Sequence, residues 1–226
     1  MTFNFCDRTQ ILIGPENLAV LSARRIAVFG LGGVGSFAAE ALVRSGIGAL
    51  DFVDHDEVVL SNCNRQLIAT MQTVGQGKAA LMGERALAIN PQIKITAHPI
   101  FFSAETAASF DFSAYDYVVD AIDSLDAKIE LICCAKAAGT PIISALGTGN
   151  KLDLCSLQVA DIYQTSVCPL ARRVRHDLRA RSIADLKVVY STELPCGNSR
   201  PVGSMIFVPA AAGLLLAQTV IKDLLG

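Results

Sequence analysis

An apolar run that ends in a glycine-rich turn stands near the start of the chain: Ile26-Ala27-Val28-Phe29-Gly30-Leu31-Gly32-Gly33-Val34-Gly35. The run predicts a buried strand, and the glycines predict a tight turn into a helix. Gly30 would permit the turn, while Gly32 and Gly33 would let the backbone approach a phosphate. Gly35 would allow close helix packing. Alone, this pattern indicates either a nucleotide site at the helix N-terminus or a turn without a ligand.

The size and charge of the chain limit its class. It has 226 residues, of which 52% are apolar and 18% are charged. One domain over 1–226 is expected, with a nucleotide-binding core over 1–150 and a substrate-side segment with a closing helix over 151–226. The formal net charge of -2 argues against a general nucleic-acid binder, but a local basic patch remains open.

The N-terminus and the cysteines indicate an intracellular protein. The first residues lack the basic segment and apolar core of a secretory signal, so a cytoplasmic location is expected. The seven cysteines are then expected to be thiols, and the lack of a CxxC pair argues against a cysteine zinc site. The apolar run 205–216 is short and is followed by polar residues. It predicts a buried helix, and no transmembrane segment is expected.

Apolar runs alternate with segments of helical period over the first two thirds of the chain. Buried parallel strands are predicted at 26–30, 49–54, 93–97, 117–122 and 141–145, and helices at 33–45, 76–89, 125–138 and 210–225. Residues 151–163 alternate like a partly exposed strand, 169–181 is arginine-rich, and 187–192 predicts a further strand. The fold class is therefore α/β: a doubly wound, Rossmann-like, mostly parallel sheet with a C-terminal substrate-side extension.

Charged residues follow the predicted strands. Asp54 ends the second strand, where a carboxylate can accept hydrogen bonds from both ribose hydroxyls of NAD or ATP. The neighbouring Asp56 and Glu57 are interpreted as solvated acids. Asp123 follows the fourth strand and is a natural Mg²⁺ ligand, and Asp123 or Ser124 could cap the next helix.

A polar hexapeptide, Ser61-Asn62-Cys63-Asn64-Arg65-Gln66, precedes Lys78 at the predicted start of a helix. Arg65 offers a planar fork for phosphate oxygens, and Lys78 offers a compact charge. A triphosphate needs both cations more than a dinucleotide does. The hexapeptide therefore favours ATP over NAD.

Together, GxGGxG, Asp54, the hexapeptide, Lys78 and Asp123 resemble the ubiquitin-activating-enzyme-like adenylating family, which includes the ThiF, MoeB and HesA proteins. This resemblance covers about residues 8–150. Segments that begin at Arg8, Pro169, Val189 and Gly203 resemble its TcdA branch, the tRNA threonylcarbamoyladenosine dehydratases. The resemblance implies that ATP activates the carboxylate of a threonylcarbamoyl group on a tRNA adenosine, which then closes into a ring with loss of water.

The resemblance also implies roles for individual residues. Catalytic roles fall to Arg65, Lys78, Asp123 and Arg8, with Mg²⁺ at Asp123. Arg8 would reach into a partner subunit's site, which implies a homodimer. A monovalent cation and a cysteine desulfurase or sulfur-acceptor partner remain open. The implied nucleotide site comprises Gly30, Gly32, Gly33, Gly35, Asp54, Ser61, Asn62, Asn64, Arg65, Gln66, Lys78, Asp123 and Ser124.

An arginine cluster is the best candidate for tRNA contacts: Arg172, Arg173, Arg175 and Arg179. Arginines can pair with backbone phosphates or stack on splayed bases, although a merely solvated helix face is the alternative. Cys168 stands where the TcdA branch is expected to carry an acid. Each cysteine is interpreted as structural or incidental.

Three other functions stay open at this level. A sulfur-carrier activator would adenylate the C-terminal glycine of a ubiquitin-like protein. An NAD-dependent oxidoreductase would use the same glycine turn and Asp54. An idle nucleotide-binding adaptor would only recruit a partner.

Overall fold

In the computed structural model, which describes residues 5–197 and 201–226, seven strands form one sheet in the order β3-β2-β1-β4-β5-β7-β6. β6 pairs antiparallel with β7, and the other neighbours pair in parallel. The strands are β1 Arg25–Phe29, β2 Ala49–Val53, β3 Lys94–His98, β4 Tyr117–Asp120, β5 Ile142–Ala145, β6 Leu157–Asp161 and β7 Lys187–Ser191.

Helices cover both faces of this sheet. Alternate residues of β1 face opposite sides, so that Val28 lies in one apolar core with Leu42, Met82 and Leu216, while Phe29 lies in a second core with Leu131 and Val174. The doubly wound α/β class is therefore confirmed. The helices are α1 Asp7–Ile13, α2 Pro15–Ser22, α3 Gly35–Arg44, α4 Lys78–Ile89, α5 Leu125–Ala137, α6 Pro169–Ala180 and α7 Phe207–Leu225.

The prediction that the strand at 93–97 is buried is wrong. β3 forms at the expected place, but Lys94, Thr96 and Ala97 are exposed. The reason is its place in the sheet, since β3 is an edge strand that pairs only with β2 among the described strands. An edge strand needs fewer apolar side chains than a central one.

The C-terminal third joins the sheet through less strand than predicted. Of residues 151–163, only Leu157–Asp161 is a strand, because one-turn helices flank it on both sides. Asp153 and Asp161 accept backbone N–H groups at the starts of these turns. Helices α1 and α2 were not predicted. α1 has no buried residue, and its apolar residues, Ile11, Leu12 and Ile13, are consecutive and show no helical period.

Helix α7 is long and apolar enough to cross a membrane by length and composition, with a mean hydropathy of 1.4. It begins at Phe207 and not at 210, with Pro209 in its first turn. A Cβ at Gly213 would lie 2.3 Å from the Val34 carbonyl oxygen, so α7 lies against the start of α3. This packing favours the predicted buried helix.

Candidate active site

The main crevice lies at the carboxyl ends of β1, β2 and β4, where the strand order reverses. Ligands of doubly wound sheets bind at such switch points. The cavity has a volume of about 840 Å³. Its lining includes nine of the predicted site residues: Gly30, Gly32, Gly33, Asp54, Asn62, Arg65, Gln66, Lys78 and Asp123.

The four glycines of the turn divide into two groups. Gly32 and Gly33 line the cavity at the start of α3, which is where their backbone was predicted to approach a phosphate. Gly30 also lines it, but its φ of 86° and the Ala121 carbonyl oxygen, 2.7 Å from where a Cβ would lie, also require glycine there. A Cβ at Gly35 would lie 1.7 Å from the Gly30 carbonyl oxygen. Gly35 therefore packs the turn and lies outside the cavity lining.

Asp54 is held in place by two backbone groups. One carboxylate oxygen accepts from the Leu31 N–H at 2.6 Å, and the other accepts from the Asp56 N–H at 2.9 Å. The first bond ties the end of β2 to the glycine turn. Asp54 therefore faces the cavity in a fixed orientation, which suits a partner for ribose hydroxyls.

Lys78 is the first residue of α4 and is buried, with only 4% of its surface exposed. Its ammonium lies 2.7 Å from an Asp56 carboxylate oxygen, and its backbone N–H donates to the Asp56 carbonyl at 2.9 Å. Asp56 is not among the site residues predicted from the sequence. The position of Lys78 could have indicated it. A lysine at a helix N-terminus is unfavourable in the field of the helix dipole, so a nearby carboxylate is expected to pair with it.

The hexapeptide orients Arg65 from outside the cavity. The Arg65 guanidinium donates to the Ser61 carbonyl at 2.8 Å and to the Asn64 side-chain oxygen at 3.0 Å. The Asn64 amide donates to the Ser204 carbonyl at 2.9 Å. Ser61 and Asn64 are absent from the cavity lining, so the structure gives them supporting positions and not the predicted direct one.

Two amides of the hexapeptide are buried. The Asn62 side-chain oxygen accepts from the Val59 N–H at 3.2 Å. The Gln66 side chain is 8% exposed, and its buried oxygen has no hydrogen-bond partner among the described residues. Buried polar atoms rarely stay unpaired. A ligand donor would satisfy this oxygen.

Asp123 and Ser124 follow β4 but differ in their positions. Asp123 is exposed on the cavity wall and makes no hydrogen bond or ion pair with another described residue. Ser124 is the N-cap residue of α5, but its side chain makes no cap bond and does not line the cavity. Asp123 is therefore free to bind a cation.

The predicted residues Arg8, Arg172, Arg173 and Arg179 lie outside the cavity on helical faces. Arg175 differs, since its half-buried guanidinium donates to the Thr165 side chain and to the carbonyls of Thr165, at 3.1 Å, and Ile162, at 3.5 Å. It supports the fold locally, which speaks against the predicted tRNA contact.

A family model described as the ThiF family matches residues 7–226. The chain belongs to the ThiF family. This match confirms the predicted resemblance. The tRNA threonylcarbamoyladenosine dehydratase of Bacillus subtilis (strain 168) is 40% identical over 238 residues, which cover 97% of this chain and 94% of that protein.

Solved structures of ThiF-family relatives agree with this fold. The Escherichia coli tRNA N6-threonylcarbamoyladenosine dehydratase, TcdA, in complex with ATP has a TM-score of 0.91 at 34% identity. The match covers 96% of this chain and 92% of that one. A sulfur carrier protein adenylyltransferase of Thermus thermophilus is 33% identical over 131 residues, which cover 58% of this chain and 48% of that protein.

The thiols matter in a ThiF-family chain because a relative acting through a thioester would need an exposed, activated cysteine. No disulfide joins any of the seven cysteines, all of which lie in the described part of the chain, and Cys168 is buried as the N-cap of α6. Burial and the Glu130 carboxylate raise the pKa of Cys134 to about 11. Cys155 and Cys196 are exposed, but neither lines the cavity.

Proposed function

We propose that this chain is an ATP-dependent tRNA threonylcarbamoyladenosine dehydratase. One observation carries the proposal: Asp54, Arg65, Lys78 and Asp123, from four separate elements, converge on one cavity at the switch point of the sheet. The identity to dehydratases along nearly the whole chain supports the same function. The solved relative with bound ATP supports ATP use.

The nucleotide would bind across the first two strands. Asp54 would accept hydrogen bonds from the ribose hydroxyls, since Leu31 and Asp56 already fix its orientation. The backbone at Gly32 and Gly33 would face the phosphates, because it opens onto the cavity at the N-terminus of α3. Gln66 adds an unpaired oxygen for a ligand donor beside Gly32.

Arg65 and Lys78 would act in the adenylation step. A carboxylate oxygen of the substrate attacks the α-phosphorus of ATP, and the bond to pyrophosphate breaks. Both cations are held by protein partners before this charge develops, which is the arrangement that stabilises a transition state most. An internal nucleophile of the threonylcarbamoyl group then closes the ring and expels AMP. The substrate loses one water, and no protein nucleophile is needed.

Asp123 fits a magnesium ligand. Its carboxylate lies on the cavity wall without a protein partner among the described residues, and oxygen donors are what Mg²⁺ prefers. When bound there, Mg²⁺ would neutralise phosphate charge. Asp123 would hold the metal near the phosphates that Arg65 and Lys78 would contact.

The tRNA would lie along α6. Arg172, Arg173 and Arg179 are exposed on this helix. Its N-cap Cys168 lies beside Gly147, since a Cβ there would be 3.5 Å from the Cys168 sulfur, and the next residue, Thr148, lines the cavity. Phosphates bound at the first turn of α6 would therefore place a splayed base near the nucleotide.

A homodimer would bring Arg8 to a partner's site. Arg8 does not line the cavity of its own chain, and α1 exposes Ile11 and Leu12 by 79% and 83%. Beside α1, a largely apolar groove of about 680 Å³ runs between Ile13, α3 and α7. Paired apolar faces of this kind suit a two-fold contact. We further propose that the chain forms a single domain and that the protein acts in the cytoplasm.

A sulfur-carrier activator is the alternative within the family. Mass spectrometry separates the two functions: tRNA bearing threonylcarbamoyladenosine, incubated with the protein, ATP and Mg²⁺, should lose one water from that nucleoside. If the nucleoside stays unchanged, and pyrophosphate exchange occurs only when a ubiquitin-like carrier is added, the dehydratase proposal is wrong. NAD binding without ATP binding would favour an oxidoreductase, which Arg65 and Lys78 argue against.

A further inference from the structure

An ion pair lies fully inside the protein, next to the turn whose residues Ala121 to Asp123 line the cavity. The Lys128 ammonium of α5 is 2.7 Å from a carboxylate oxygen of Asp120, the last residue of β4. Both side chains are 0% exposed, which holds for no other salt bridge among the described residues. The steps proposed above use neither residue.

Stability alone is a weak reason for such a pair. Two charges must leave water to form it, and apolar side chains of similar volume are often as stabilising or more so. Its neighbours in the core are mostly apolar, with Phe29 in β1, Val118 in the same strand as Asp120 and Leu131 in the same helix as Lys128. The polar exception is the buried Ser144, the register partner of Asp120 in β5. The pair therefore calls for a structural reason specific to this place.

That reason lies in the turn from β4 to α5. The second Asp120 oxygen accepts from the Ile122 N–H at 3.0 Å, which fixes the bend just before Asp123. Ala121 donates its N–H to the Phe29 carbonyl at 2.8 Å. Its own carbonyl presses against Gly30, where no Cβ would fit. The 121–122 segment thus joins the glycine turn to Asp123.

We propose that Asp120 and Lys128 are positioning residues for adenylation. Lys128 fixes the orientation of the Asp120 carboxylate inside the core, Asp120 accepts from the Ile122 N–H, and the turn then presents Asp123 to the cavity. This inference rests on the proposed role of Asp123. Neither Asp120 nor Lys128 touches the substrate.

Lys128→Met tests the pair, and Lys136→Met is the matched control. Lys136 lies on the same helix, but its ion pair with Asp185 is at the surface. Lys128→Met should fold, lose about 100-fold in kcat, and bind ATP without Mg²⁺ almost as wild type, since small displacements at a catalytic site are costly. Lys136→Met should match wild type in every measurement. A folded Lys128→Met with wild-type kcat would overturn the proposal.

Two double variants cover the case in which an unpaired Asp120 prevents folding. Asp120→Asn/Lys128→Met keeps an acceptor for the Ile122 N–H, whereas Asp120→Leu/Lys128→Met removes it, and both lack the buried charges. The Asn variant should be about tenfold more active than the Leu variant. Its Ile122 amide should also exchange hydrogen more slowly than that of the Leu variant. Equal activity and equal exchange would overturn the proposal.

The amide exchange also separates this inference from the proposed function. It needs no tRNA, so it can support the positioning role even if wild-type protein fails to dehydrate tRNA. In that case the proposed function would be wrong, and calorimetric ATP binding with and without Mg²⁺ would test the pair. If Mg²⁺ changes the ATP affinity of Lys128→Met as much as that of wild type, the positioning role of the pair is wrong.

Discussion

The nucleotide-binding side of the sheet and the C-terminal extension use charged residues in different ways. Around the cavity, Asp54, Arg65 and Lys78 are each held by a protein partner at 2.6 to 2.8 Å. Along α6, Arg172 and Arg173 are exposed. A small ligand whose charge changes during reaction needs preorganised groups. A polyanion needs mainly charge density at a surface. The contrast separates a reaction site from a docking face.

The largest effect on the adenylation rate should come from replacing Lys78, the buried lysine that lines the cavity. Lys78→Met should lower kcat for adenylation about 1000-fold, because it removes a fixed charge from the departing pyrophosphate. Pyrophosphate exchange in the presence of modified tRNA measures this. Lys94→Met is the control, since Lys94 is exposed on the edge strand β3 and should leave the rate unchanged. If Lys78→Met adenylates at a rate near that of wild type, Lys78 does not stabilise the departing pyrophosphate.

The next effect concerns the partner of Lys78. Asp56→Asn should slow adenylation about 10- to 100-fold, as the loss of an outer partner often does. Glu105→Gln, at an exposed carboxylate outside the cavity lining, is the control and should behave as wild type. Steady-state kinetics with ATP as the varied substrate measure both variants. Equal rates in the two would mean that Asp56 is a solvated acid after all.

A smaller effect is expected on the docking face. Arg172→Ala/Arg173→Ala should weaken tRNA binding about tenfold and reduce the slope of log K against log salt by up to about 2. Fluorescence titration at several salt concentrations measures it, and ATP affinity should not change. Arg175→Ala is the contrast, because it should lower the free energy of unfolding by about 1–3 kcal/mol through unpaired carbonyls. An unchanged salt slope in the double variant would make α6 an ordinary solvated helix.

The smallest effect should come from the thiols. With the pKa of Cys134 near 11, only about one molecule in a thousand carries its thiolate at pH 8, so alkylation there should be slow. Cys155 and Cys196 are exposed and should be alkylated first. Mass spectrometry of iodoacetamide-treated protein measures the order, and Cys196→Ser should keep full activity. Loss of activity in Cys196→Ser would indicate that the reaction includes a covalent intermediate on Cys196.

The sequence predicts the reaction site better than the docking face, for a physical reason. Gly30, Asp54 and Asp123 follow strands, and parallel strands bring their carboxyl ends together whatever the loops do. These three residues therefore meet in one cavity. Asp56 lies outside the predicted set because its partner Lys78 lies in another element, and a lysine at a helix N-terminus indicates a nearby carboxylate without specifying which one.

Helix faces gave weaker predictions because exposure depends on what packs against them. Arg175 has the same residue type and spacing as its exposed neighbours, yet the carbonyls of Ile162 and Thr165 turn it inward. Likewise, the edge position of β3 follows from strand order, which the alternating pattern of strands and helices does not specify. Local pattern predicts the element, and tertiary pairing decides its environment.

The contact between Pro209 and Gly33 has a consequence for biosynthesis. A Cβ at Gly33 would lie 3.4 Å from the Pro209 side chain, so α7 closes a wall of a cavity that begins near residue 30. Contacts this distant in sequence form late, because a long loop must close first. While the ribosome still holds α7, the emerging polypeptide has the glycine turn but an incomplete pocket. Nascent chains arrested before residue 207 should therefore be unable to retain nucleotide.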